Sequence, residues 1–158
     1  MGIKRNTSYA EISRYIEERT KVLRQKCINN LIYVGEEAVK EARENGRYVD
    51  HTGNLRSSIG YCVLDNGKVI NESGFKAETG IYTDKSGNRH PYEGSHGSEK
   101  GRDFLHRIIS EHSEGLVLIV VAGMEYAAYV EAKNLNVLDS AEQLAERLLP
   151  QLMKGLKL

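Results

Sequence analysis

From Tyr9 to Glu44 the chain carries no proline, and Ile12, Ile16, Leu23, Cys27, Leu31, Val34, Ala38 and Ala42 recur at intervals of three, four or seven residues. That spacing keeps them on one face of an α-helix. Ser8 followed by Glu11 fits a capping box, in which hydroxyl and carboxylate satisfy amide donors that the first turn leaves free. Asn45-Gly46 is expected to close the helix, because glycine tolerates the left-handed conformation that ends helices. At about 1.5 Å per residue such a helix is on the order of 50 Å long, more than a domain of this size is wide. Part of it must project, or it must break near Asn29-Asn30 or Gly35. The half nearest the remaining structure reads as core. The leftover apolar face is either an ordinary helix surface or a seat for a neighbouring subunit, since uncovered apolar area is costly in water.

A sheet is expected from Leu55, where Leu55, Ile59, Tyr61 and Val63 alternate with Arg56, Ser58, Gly60 and Cys62, the period of a strand with one apolar face. Asp65-Asn66-Gly67-Lys68 then signals a hairpin, because a type I′ turn needs positive φ at both central residues. Val69 to Glu72 is the return strand. A third strand, Leu116 to Val121, is an almost unbroken β-branched run between Gly115 and Gly123 and is expected in the sheet centre.

Between the second and third strands, Gly74 to Gly101 holds six of the fifteen glycines and few large aliphatic residues. A structureless connection this long is unusual in a compact domain, so it reads as a flexible loop or an extended hairpin. Asp84-Lys85-Ser86-Gly87-Asn88 would form the hairpin tip, flanked by Ile81-Tyr82 and Pro91-Tyr92, with flanks too polar to hold it alone. Tyr82 and Tyr92 suggest ordering against a partner. Phe104, Leu105, Ile108, Ile109 and His112 mark a short amphipathic helix. Tyr126 to Ala132 forms another. Asp139 with Glu142 starts a last helix whose Leu144, Leu148, Leu152 and Leu156 repeat at period four, with Pro150 expected to kink or break it near Leu148-Leu149. The whole reads as one α+β domain over residues 1–158, a small antiparallel sheet of three or four strands packed by a long N-terminal helix and C-terminal helices.

Charge and composition bound the function. With 22 basic and 22 acidic residues the formal net charge is zero, so no global field favours nucleic acid or an anionic membrane, and identical subunits can crowd with little repulsion. The apolar run Leu116 to Ala122 is far short of the roughly 20 residues that cross a bilayer, and the chain reads as soluble. Without a signal peptide, Cys27 and Cys62 read as buried thiols rather than a disulfide.

Reactive constellations are sparse. The histidines at 51, 90, 96, 106 and 112 lack the one-turn helical spacing of a zinc site, and neither cysteine has a close partner. Ser95-His96 reads as loop residues rather than nucleophile and base, since adjacent side chains rarely meet. Glu17-Glu18, Glu36-Glu37 and the pair Glu125 and Glu131 read as solvated faces, and Lys21, Arg24 and Lys26 as a helix surface matched by acids one turn earlier. Gly94, Gly97 and Gly101 lack the register of a phosphate loop. The expectation is therefore no catalytic residues, no cofactor and no metal.

Two phrases carry a resemblance. Thr52-Gly53-Asn54-Leu55-Arg56-Ser57-Ser58-Ile59 lies after the long helix, and Tyr126-Ala127-Ala128-Tyr129-Val130-Glu131 precedes the last one. In that order and context they resemble the tail-completion (head-tail joining, or neck) proteins of long-tailed bacteriophages. After Glu131, where that family commonly continues with a glycine and a proline-rich step, Ala132-Lys133-Asn134-Leu135-Asn136-Val137 stands instead. The resemblance implies a structural subunit of a ring, often sixfold, that closes the tail tube and meets the head connector. It implies a virion protein assembled in the host bacterial cytoplasm, with itself, the tail tube and the connector as partners. Thr52, Gly53, Leu55, Arg56, Ile59, Tyr126, Tyr129 and Glu131 are its motif positions, and Tyr82 and Tyr92 join them as interface candidates. The competing classes are a small metal-dependent hydrolase or nuclease and a cellular adaptor.

Overall fold

A computed structural model describes residues 6–156. The chain is α+β, with elements in the order α1 (Tyr9–Glu44), α2 (Asn54–Ser57), β1 (Ile59–Asp65), β2 (Lys68–Gly74), β3 (Thr79–Thr83), β4 (Arg89–Glu93), α3 (Ser95–Ile109), β5 (Leu116–Ala122), α4 (Ala127–Ala132) and α5 (Asp139–Lys154). A three-stranded antiparallel sheet has the order β2-β1-β5, and β3 and β4 form a separate hairpin.

The central strand is β1, not the β-branched run. Its Ile59, Tyr61 and Val63 pack against α1 and α5, while Cys62 and Leu64 face α3 on the other side. Gly60 and Cys62 resemble a solvent face in the sequence but are small residues in a second core. A Cβ on Gly60 would meet the Phe75 ring at 2.5 Å, so only glycine fits beneath that ring. β5 instead takes the edge, its apolar residues covered by helices on both faces while one border stays free. Leu55 lies not in a strand but in the helical turn α2, which Gly53 opens with φ 70°.

Helix α1 runs unbroken, so the excess length is resolved by projection. Its capping box forms as expected, with the Glu11 amide donating to Ser8 Oγ at 3.2 Å and the Ser8 amide donating to Glu11 at 2.8 Å. Gly35 does not break the helix; a Cβ there would come within 2.3 Å of the Tyr61 ring. The glycine lets helix and strand approach, and the Tyr61 hydroxyl donates to Glu36 at 2.8 Å. The helix stops at Asn45 with φ −105°, without a left-handed glycine. Arg56 supplies the cap, donating to the carbonyls of Arg43 at 3.1 Å and Gly46 at 3.4 Å, as a cation suits the negative end of a helix.

The Asn66-Gly67 turn has φ 49° and 77°, and Asp65 pairs with Lys68 as a two-residue I′ hairpin requires. The second hairpin also forms, with Ile81 opposite Pro91 and Tyr82 opposite His90. Its polar flanks are not its only support. The Gly94 amide donates to Glu78 O at 2.8 Å and the Glu78 amide to Ser57 Oγ at 2.8 Å, tying the hairpin base to α2.

Helix α3 begins at Ser95, nine residues before its first large apolar side chain. Gly97 and Gly101 are helix residues rather than loop: a Cβ on Gly97 would lie 2.0 Å from Asn54 O, and one on Gly101 2.5 Å from Ser58 O. Both let α3 lie against the α2–β1 backbone. Asp139 and Glu142 do not cap α5. The carboxylate of Glu131 instead accepts from the amides of Val137 at 3.0 Å and Leu138 at 2.6 Å. The helix continues through Pro150, whose ring sits on the exposed side. Only Ala141 is fully buried; Leu149 and Met153, half-buried, pack against the core of α1 and the sheet, and Leu144, Leu148 and Leu152 are half-buried as well.

Gly101→Ala should therefore cost roughly 1–3 kcal/mol or more through overpacking against backbone, lowering the thermal midpoint. Gly155→Ala should stay within about 0.5 kcal/mol, because its φ is −75° and the nearest atom to a new Cβ lies at 3.4 Å. The second hairpin carries a pH signature. Asp84 accepts from the amides of Ser86 and Asn88 and from the His90 ring, and its carboxyl is held down to about 2, from an ordinary 3.8, first by the His90 bond and then by Asn88. A depressed folded pKa gives order that is present above the unfolded value and lost as pH falls through the folded one. The Ser86 and Asn88 amide resonances should titrate together near pH 2; a shared midpoint at the ordinary carboxylate value would show the tip unformed.

Candidate functional site

The two phrases that stand apart in sequence meet in space. Leu55 of the first and Ala127 of the second share one buried cluster with Tyr48 and Val137. At the join between strand and helix, the Gly123 amide donates to Ser58 O at 3.1 Å. Above the cluster lies a cavity of about 250 Å³ lined by Tyr48, Asp50, His51, Thr52, Leu55 and Tyr126. Burial pushes the Tyr48 phenol up to about 12, and its hydroxyl has no hydrogen-bond partner among the described residues. Tyr126 is also raised, by burial and then by the nearby Asp50 charge, with the Thr52 hydroxyl pulling the other way.

The motif residues divide into two groups. Gly53, Leu55, Arg56, Ile59 and Glu131 hold the fold. Gly53 admits the Tyr92 ring, which a Cβ would meet at 2.7 Å. Leu55 and Ile59 are fully enclosed. Besides capping α1, Arg56 lies over the Tyr48 ring at 4.8 Å, and its amide donates to Asp50 at 2.9 Å. Arg43 returns the contact, donating to Arg56 O at 3.1 Å and Lys76 O at 2.8 Å. Burial lowers its pKa. Glu131 fixes the start of α5, aided by Asn136, whose Oδ1 accepts from the Ser140 amide at 2.9 Å and whose Nδ2 donates to Asn45 O at 2.9 Å.

Of the remaining candidates, Thr52, Tyr126 and Tyr129 reach the surface, whereas Tyr82 and Tyr92 are half-buried. Tyr129 is exposed with Lys133 over its ring at 4.5 Å, and Tyr126 is partly exposed. Tyr82 meets His51 edge-on at 4.1 Å, bringing the hairpin to the Thr52 side of the cavity. Tyr92 packs under Gly53 and Gly80 rather than facing outward. Sequence reasoning missed Arg43, Tyr48 and Phe75, which no motif marks, and gave no role to Ser57, which lies within the first phrase and whose Oγ accepts from the Glu78 amide; the signal for Phe75 was the glycines at 60 and 101 that make room for its ring.

Groups suited to chemistry stay dispersed. His90 pairs with Asp84 and His106 with Glu72, while Ser95 and His96 lie exposed at the start of α3. Among the described residues no three His, Cys, Asp or Glu side chains gather as a metal-binding group, and no helix is long and apolar enough to cross a membrane. A groove of about 660 Å³ is lined by Lys40, Arg43, Arg56 and Lys76 together with Glu36, Glu44 and Glu78. Its charges are mixed, and its two arginines are already engaged with backbone carbonyls. Cys27 and Cys62 are free thiols, and burial pushes Cys62 up to about 11.

Glu131→Ala should leave two helix-start amides without acceptors, costing roughly 1–3 kcal/mol in chemical denaturation. Glu131→Gln should retain about half of that stability by keeping one acceptor oxygen. Equal stability of all three proteins would show that the Glu131 contacts do not position α5.

The chain matches no protein-family model, no curated protein and no solved structure.

Proposed function

We propose that this protein is a structural assembly subunit of the phage tail-completion or head-tail joining kind. In this reading it acts by forming a ring with its own copies and docking to the tail tube and head connector, without catalysis. The observation that carries it is the projecting half of α1. Arg24 pairs with Asp65 beside the β1–β2 turn, where the helix leaves the sheet. From Thr7 to Val22 every residue is exposed, Tyr15, Ile16 and Val22 to 60%, 57% and 50%. The projection from Arg24 back to Tyr9 extends about 20 Å at the helical rise. A capped stretch of that length gains little from its own hydrogen bonds and is marginal in water unless its apolar face is covered. A neighbouring subunit or tail component supplies that cover, and the Thr52, Tyr82, Tyr126 and Tyr129 surface offers a second contact of polar-tipped aromatic rings.

The motif resemblance supports the assignment to tail completion. The dispersed polar groups favour it over a hydrolase or nuclease, whose pocket would need converging carboxylates or histidines. A cellular adaptor would use the same surfaces with different partners, and incorporation into purified tails separates the two.

Ile12→Asp combined with Ile16→Asp should leave the thermal midpoint within about 2 °C, because both side chains are exposed. It should abolish self-association in sedimentation and incorporation into tails. Wild-type association by this variant would overturn the role given to α1; absence of the unaltered protein from purified tails would overturn the tail assignment.

A further inference from the structure

Among the described residues the sheet ends on two borders of different character, β2 and β5. Backbone direction is fixed at both ends of β5, where the Gly123 amide donates to Ser58 O at 3.1 Å and Gly115 O accepts from the Asn66 amide at 2.8 Å. Alternation along the strand therefore turns Val117, Ile119 and Val121 toward β1 and Leu116, Leu118, Val120 and Ala122 outward. No described residue pairs with those four outward amides and carbonyls. The border lies in a trench. On one side a groove of about 570 Å³ runs along Phe104, Arg107 and Ile108 of α3; on the other a groove of about 320 Å³ runs along Ala141, Glu142 and Glu146 of α5.

We propose that this trench receives strand β2 of a second copy, so that β5 of one subunit and β2 of the next pair in parallel and join the sheets head to tail. The pairing rests on the ring reading above and specifies the surfaces that make the ring. Its first support is length and direction. Both strands have seven residues, and both run antiparallel to β1, hence parallel to each other. A rotation about an axis along the strands preserves direction and brings β2 to a neighbour's β5 as a parallel partner. A two-fold contact of β5 with β5 would be antiparallel.

The second support is charge. On the face shared by α1 and α5, the β5 trench is rimmed by Asp139, Glu142 and Glu146. The matching side of the β2 border carries Lys68, whose partner Asp65 pairs with α1, and beyond it Lys40 and Lys76 interleaved with Glu36, Glu44 and Glu78. On the α3 face Arg107 is, among the described residues, the one cation lining the groove, which also holds Glu125 and Glu131, and β2 presents Glu72. Within one subunit Glu72 already takes the ring of His106, one residue before Arg107, at 3.1 Å. Register places Glu72 level with Ile119, since both lie opposite Cys62, so a neighbour's Glu72 arrives beside Arg107 as it lies beside its own His106. Head-to-tail pairing thus sets Glu72 against Arg107 on the α3 face and brings Lys68 toward the acidic rim on the other, where the rest of the β2 side carries both signs. A two-fold β5 contact would set the acidic rim against itself and Arg107 against Arg107, which like-charge repulsion disfavours.

Charge reversal of the full chain tests the pairing, read by sedimentation velocity over a concentration series with circular dichroism as the folding control. Arg107→Glu and Glu72→Arg should each weaken self-association about tenfold, and the double variant should recover it to within about threefold. Leu118→Pro removes an outward amide while sparing the β1 ladder, and should weaken association at least about tenfold. Should that variant not fold, the charge pair decides. If the wild type associates while Glu72→Arg associates equally well, or the double variant shows no recovery, the head-to-tail pairing is wrong and the ring reading stands. If the wild type stays monomeric at all concentrations and on added tail tubes, both fail.

Discussion

The structure depends on burying β1 on both faces. In a chain of 158 residues a three-stranded sheet has little area to offer, and single-sided packing would leave half of it wet. Two helices therefore close on the same strand from opposite sides, and each contact is made possible by missing side chains. Gly35 lets α1 settle on the Tyr61 ring, and Gly101 lets α3 settle on Ser58 and Phe75. These close approaches place the two motif phrases in contact, because α2 and the end of β5 are drawn together beside the α3 glycines. The Gly123 Cα side stands so near Gly101 that a Cβ there would lie 2.4 Å from its Cα.

Legibility in the sequence followed the reach of each interaction. Features set within four residues were readable: the Ser8–Glu11 capping box, the Asn66-Gly67 turn, the tip of the second hairpin and the α1 face. Features set by distant partners were misread. The end of α1 at Asn45 is fixed by Arg56, eleven positions on, and the start of α5 by Glu131, so local cap rules named Gly46 and Asp139 instead. Pro150 was expected to break α5, but its position on the exposed side lets the flanking Leu149 and Met153 contacts carry the helix through. The larger error concerned glycine. Between Gly94 and Gly101 its frequency suggested a loop, whereas each residue there answers a backbone packed against it, something only a tertiary partner reveals.

The motif residues were legible as a set but not by role. Gly53, Leu55, Arg56 and Glu131 act within the fold, so their spacing reflects how the long helix, the sheet and the last helix are joined. Thr52, Tyr126 and Tyr129 are left at the surface, with Tyr82 beside them through His51. The sequence pattern cannot separate the groups, because a tyrosine at an interface and one over a core cavity look alike until burial is known. The separation matters for substitutions: changing the internal group alters the fold itself, whereas changing the surface group leaves the fold intact and alters only the surface.

The two sheet borders differ in a way that bears on assembly. Soluble proteins blunt an edge with charge, proline or a bulge to prevent uncontrolled pairing. The β2 border has such devices, with Lys68, Glu72 and a register shift opposite Val63 and Leu64. β5 has none: Leu116–Ala122 contains no charged residue, and its protection comes only from the walls of the trench. A border defended against copies of itself beside one open to a strand of matching length, with Glu72 on the first and Arg107 beside the second, favours a directional contact over a symmetric one. Directional contacts repeat and stop only when the rotation closes, so in the ring proposed above the subunit number would follow from the tilt between neighbouring sheets rather than from any single residue at the border.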